Sequence, residues 1–237
     1  MPTPDQMVVA AAQAALRPLG LRRQNRTRTW VEDRGWWLLL VVLERTRGGD
    51  TRLAVAAKFL WGPMRELTYD LGGPVYWRED TGDFATERSQ DGHVWVQSIR
   101  HVRDDQFATD LEQLTGIARR RVEQLRQEIA TPADVARVLS APQSRINATS
   151  WWNAFHAGAA AGLSGDVALA RKHFDRIRPD RLAVGWEHDL GRRAAALGAL
   201  ADDPPALFHR LREDIAEMRS GLGLPDAPRG VPPEPVW

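Results

Sequence analysis

Six histidines, at positions 93, 101, 156, 173, 188 and 209, are the residues of this chain best suited to moving protons or binding a metal. An imidazole titrates near neutrality, but it needs a carboxylate or further ligands beside it to do either job. No His-Glu-x-x-His spacing occurs. His156 and His173 can face each other across a helix pair, yet a metal would need more ligands than two, so both read as crossing or surface histidines. Glu187-His188-Asp189 sets an imidazole between two acids. On a helix, adjacent side chains diverge by about 100°, which separates the three. Nucleophile signatures fail as well. Cysteine is absent, and Gly162-Leu163-Ser164-Gly165 is one residue short of Gly-x-Ser-x-Gly. There is no Walker loop and no Gly-x-Gly-x-x-Gly. The expectation is no bound metal, no cofactor and no recognisable catalytic residue.

The ten tryptophans offer a different chemistry. Trp61, Trp77 and Trp95 fall near expected strand ends, where an aromatic ring can line a groove. Gly62-Pro63 turns the chain after Trp61. Gly72-Gly73-Pro74 is expected to turn it again, bringing Tyr69 and Asp70 opposite Tyr76 and Trp77 with Arg78 alongside. Aromatic faces beside a carboxylate and a guanidinium suit a polar ligand or a partner's side chain. The competing reading is that these rings seal the sheet end. Two basic clusters, Arg22-Arg23-Arg26-Arg28 and Arg119-Arg120-Arg121, can contact phosphates. The second alternates with Glu112, Glu123 and Glu128, as a solvated, ion-paired helix face does.

Elements able to position such groups are visible in the hydrophobic pattern. Residues 4–19 read as a helix capped by Thr3, with Pro4 at its first position and Gln6 completing the box. Residues 26–32 suit a strand. Residues 35–45 form the strongest strand, apolar on both faces and therefore expected in the sheet interior. Residues 51–61 alternate as a further strand, and the short loops between strands favour an antiparallel meander. Weaker strands are expected at 67–71, 75–78 and 93–99, with a loop over 79–92. From Asp104 the period changes. Phe107, Leu111, Leu114, Ala118, Val122, Leu125 and Ile129 follow one face of a long helix. A short helix to Ser140 follows, then helices over 148–162, 166–177, 181–201 and 204–221. The fold class is α+β: an antiparallel sheet packed with helices, then an all-helical half. The expected divisions are 1–141, 142–224 and a Pro-rich extended tail, 225–237.

Residues 7–78 resemble a bacterial family, domain of unknown function 4304. The resemblance is carried by Leu-Arg-Pro-Leu-Gly-Leu-Arg-Arg at 16–23, Arg26-Thr27-Arg28-Thr29-Trp30, Gly35-Trp36-Trp37-Leu38 and the strand ending Leu60-Trp61. Members read Gly-Phe-x-Arg where this chain has Gly20-Leu21-Arg22-Arg23. The resemblance implies a helix-plus-sheet architecture and no particular activity. In the second half, Ala157-Gly158, Gly165-Asp166, Ala170 and Phe174 resemble one tetratricopeptide repeat unit. Small residues at any helix crossing give the same pattern.

Composition narrows the functional classes. A net charge of +1 supplies no global field for nucleic acid or an anionic membrane. Only Lys58 and Lys172 are lysines among 32 basic residues, which points to a GC-rich coding genome. Trp36–Leu43 is the longest apolar run, far too short to span a bilayer, and the start lacks a secretion signal. The expected location is the cytoplasm. The function expected is a non-catalytic accessory factor that binds another protein or a small polar ligand through Trp61, Tyr69, Asp70, Tyr76, Trp77 and Arg78. The alternatives are an enzyme using Asp70, Arg78 or Glu66, and a nucleic-acid accessory factor.

Overall fold

The computed structural model describes residues 2–63, 65–67, 69–77, 84–85, 99–141, 151–177 and 185–225, with backbone alone at 74–77 and 84–85. It is α+β. Helix α1 (Pro4–Leu16) and a 3₁₀ turn precede strands β1 (Arg22–Arg23), β2 (Thr29–Asp33), β3 (Trp37–Arg45), β4 (Thr51–Phe59), β5 (Leu71–Trp77) and β6 (Phe84–Ala85). Helices α2 (Asp104–Glu128), α3 (Pro132–Ser140), α4 (Trp151–Leu163), α5 (Val167–Phe174), α6 (Gly185–Ala199) and α7 (Pro204–Gly221) follow. The strands lie in chain order, β1 to β6.

Two compact units divide the chain. The first holds Met1–Asp33, Leu38–Lys58 and Leu71–Leu125. The second holds Arg34–Trp37, Phe59–Asp70 and Arg126–Trp237.

In the first unit, α1 begins as its residues dictate. The Thr3 hydroxyl accepts the Gln6 N–H while Gln6 Oε1 accepts the Thr3 N–H. The helix is fastened to β2 by Trp30, whose indole N–H donates to Gln13 Oε1 at 3.4 Å, and by the Arg28–Asp5 ion pair. The part of β3 in this unit is buried from Leu38 to Val41 and again at Leu43. Adjacent side chains on a strand point to opposite faces, so the complete burial of both Leu39 and Leu40 makes it interior on both sides. The α2 residues of this unit expected to face inward, Phe107 through Leu125, are buried.

One element differs from expectation. Gly72-Gly73-Pro74 is not a turn but part of β5, paired antiparallel with Ala56, Val55 and Ala54 of β4. Gly72 and Gly73 adopt φ of +85° and +138°, the glycine region. A Cβ on Gly72 would lie 2.6 Å from the Val55 carbonyl oxygen. Gly72 therefore permits close strand approach, and the pair does not reverse the chain. Tyr76 and Trp77 sit at the far end of this strand, so they are not folded back opposite Tyr69 and Asp70. At that end they pair with Ala85 and Phe84, a short strand inside the segment expected to be a loop. Residues 93–98 lie outside the described residues. Ile99 bridges to Thr51.

In the second unit, α4 is buried from Asn153 to Leu163. Glycines allow its neighbours close. A Cβ on Gly158 would meet the Phe174 ring at 2.7 Å, and one on Gly162 would meet Leu207 and Leu211 at 3.0 Å. Arg219 of α7 is buried and donates to the carbonyls of Gly35 at 2.7 Å and Pro225 at 2.5 Å. Asp214, also buried, lies 2.8 Å from Arg193 and 2.6 Å from Arg210. Burial still pushes its carboxyl up, against the pull of both guanidiniums.

Candidate functional site

Three residues far apart in sequence meet in the second unit. The Trp61 indole N–H donates to His156 Nδ1 at 3.0 Å. On the other side of the ring, His156 Nε2 lies 3.5 Å from Asp70 Oδ1. Asp70 Oδ2 accepts the Phe59 backbone N–H at 2.5 Å. The His156 side chain has no exposed surface, and that of Asp70 is only 6% exposed.

Local sequence explains the placement. The β4 strand ends at Phe59, and the chain then passes through Leu60 and Trp61, both fully buried. The segment reaches Asp70 immediately before β5 begins. His156 is carried by α4, whose sequence, Trp-Trp-Asn-Ala-Phe-His-Ala-Gly-Ala-Ala-Ala-Gly-Leu, is almost wholly apolar. A helix apolar all round must be buried, and its polar residues must then find partners.

The hydrogen bond from Trp61 occupies the Nδ1 lone pair. A neutral ring therefore carries its proton on Nε2, the atom facing the carboxylate. That leaves no free lone pair with which His156 could take a proton from a substrate. At 3.5 Å the contact with Asp70 is an electrostatic one, too long for a good hydrogen bond. What this arrangement does well is hold the end of β4, the segment before β5 and α4 in a single geometry.

Aromatic rings surround the trio. Trp36, Phe59 and Trp61 stack with centroids 4.8 to 6.2 Å apart and planes within 7°. Trp152 stacks on the other flank of His156, at 5.6 Å and 22°. Trp186 stacks on Trp152 at 5.7 Å and 13°. The series ends at the surface, because Trp186 is 47% exposed. Trp151 and Trp152 are half-buried.

The expected site residues therefore separate. Trp61 and Asp70 come together, but in the interior around His156, where Trp61 is a sealing residue. Tyr69 is 38% exposed, and Glu66 is exposed. Tyr76 and Trp77 belong to β5, with side chains outside the described residues, as are Arg78 and Trp95. The two histidines read as crossing or surface residues are both buried. His156 meets Trp61 and Asp70, whereas the buried His173 of α5 has its Nε2 2.8 Å from Ser140 Oγ. Burial, with Arg176 and Lys172 nearby, pushes the His173 imidazole down. Among the described residues no cluster of three His, Asp or Glu side chains could hold a metal ion.

The basic clusters are partly engaged. Arg28 pairs with Asp5, and Arg23 donates to the carbonyls of Thr27 and Arg26. Arg119 and Arg120 are exposed on α2. No helix among the described residues is long and apolar enough to cross a membrane. Comparison with known proteins finds no matching family model, curated protein or solved structure.

Proposed function

We propose that this chain is a bacterial cytoplasmic accessory protein that binds a partner protein and catalyses no reaction at the Asp70–His156 pair. One observation carries the reading: the stacked series around the sealed pair terminates in Trp186, which keeps nearly half its surface exposed. Tryptophan is one of the residue types enriched among interface positions that dominate binding energy. A ring already held by Trp152 loses little freedom when a partner covers it.

The test is affinity purification of the tagged chain and of Trp186→Ala from the cells that make it, with quantitative mass spectrometry. At least one protein is expected to fall about tenfold or more in recovery with the variant, as loss of a residue contributing about 2 kcal/mol requires. Identical recoveries from two equally folded proteins would remove Trp186 from any partner surface.

A further inference from the structure

A second histidine contact has a different character from the first. Ser140 is the last residue of α3 and is exposed, while His173 of α5 is 3% exposed. Their Oγ and Nε2 atoms lie 2.8 Å apart. We propose that Ser140 is a reactive serine that accepts an acyl group from an activated ester, with His173 as its base. The hydroxyl of an exposed serine, in hydrogen-bond reach of an imidazole nitrogen, is the arrangement that activates a serine nucleophile.

The step balances as an acyl transfer. The Oγ proton passes to His173 Nε2 as Oγ bonds to the ester carbonyl carbon. The tetrahedral adduct then collapses, the bond from that carbon to the leaving oxygen breaks, and the leaving oxygen takes the proton from Nε2. The products are an acyl ester of Ser140 and one free alcohol, with His173 neutral again.

The surroundings make the serine slow to react compared with that of a serine hydrolase. His173 Nδ1 is buried without a hydrogen-bond partner among the described residues. Serine hydrolases instead hold this atom with a carboxylate that stabilises the imidazolium. The charges acting on the ring are Arg176 and Lys172, both cations. Asp175, the C-cap of α5, lies two residues along the chain; Asp134 of α3 pairs with Arg137, and Asp202 pairs with Arg171. α4, which packs against both α3 and α5, carries no ionisable group besides His156. The ring is therefore neutral at pH 7, and without a carboxylate to stabilise its imidazolium both acylation of Ser140 and hydrolysis of the acyl-serine are slow.

The experiment uses the full chain with p-nitrophenyl acetate, read by intact mass and by sequencing the tryptic peptide Val138–Arg145. One acetyl group is expected, on Ser140 and not on Ser144, and Ser140→Ala should lose it. The labelling rate should be level above neutrality and fall on acidification, with a midpoint below the ordinary imidazole value of 6.5. His173→Gln should slow labelling by about 10²-fold or more; if it does not fold, the pH profile decides alone. Acetyl spread over several residues, equal labelling of Ser140→Ala, or a rate rising about tenfold per pH unit, as hydroxide-driven chemistry does, would overturn the assignment.

Discussion

Replacing Asp70 by alanine isolates what the buried pair contributes to stability. The substitution removes the acceptor of the Phe59 N–H, 2.5 Å away, and the charge facing His156 Nε2, 3.5 Å away. Phe59 and His156 are both fully buried, so water cannot replace the lost acceptor without opening the unit. A buried donor left without a partner costs about 1–3 kcal/mol, and loss of the facing charge adds to it. The expected total is about 2–4 kcal/mol. For a chain of this size, about 1 kcal/mol moves the melting temperature by roughly 2–4 °C, so Asp70→Ala should melt about 4–16 °C lower. Asp70→Asn keeps an oxygen for the Phe59 N–H and should recover a good part of the loss. Urea denaturation followed by circular dichroism measures both. If Asp70→Ala unfolds within about 0.5 kcal/mol of the parent, the carboxylate is not structural and the reasoning fails.

Other substitutions test the fold on either side of that pair. Gly72→Ala should cost about 2–4 kcal/mol in urea denaturation, because it combines a left-handed φ with a Cβ 2.6 Å from the Val55 carbonyl oxygen. Gly158→Ala should cost about 1–3 kcal/mol, since the new methyl group overlaps the Phe174 ring on the adjacent helix. Asp134 caps α3, and hydrogen bonds from Thr131 and then Arg137 hold its carboxyl below the ordinary value of 3.8. A lowered carboxylate stabilises the fold above its unfolded value and stops doing so as pH falls through its folded one. Asp134→Asn should therefore cost about 1 kcal/mol at pH 7 and progressively less in acid below pH 3.8, in melts across that range.

Local and periodic features were legible in the residues. The Thr3 cap, the two-faced strand around Leu39 and Leu40, and the long helix after Asp104 all depend on neighbours within a few turns or pleats. Gly72-Gly73-Pro74 misled because those residues break strands when glycine's freedom is used to reverse the chain. Here the same freedom is used inside a strand to bring β5 close to β4. The His156 site was beyond pattern reading for a different reason. Trp61 and His156 are separated by 95 residues, and no periodicity reports a contact over that distance. A partial signal did exist. His156 and Asn153 are the polar residues of an otherwise apolar helix, and burial of that helix obliges them to find partners.

A binding role without acid–base chemistry at the Asp70–His156 pair requires that the pair be sealed, because an open pair would be an acid–base site. Diethyl pyrocarbonate acylates accessible imidazole nitrogens, and peptide mapping reports which histidines react. In the folded protein, His188 and His209, both exposed, should be modified readily. His156 should stay unmodified until denaturant unfolds the chain, since it has no exposed surface and its Nδ1 accepts the Trp61 N–H. Modification of His156 in the folded protein, at a rate within a few-fold of His188, would contradict the account.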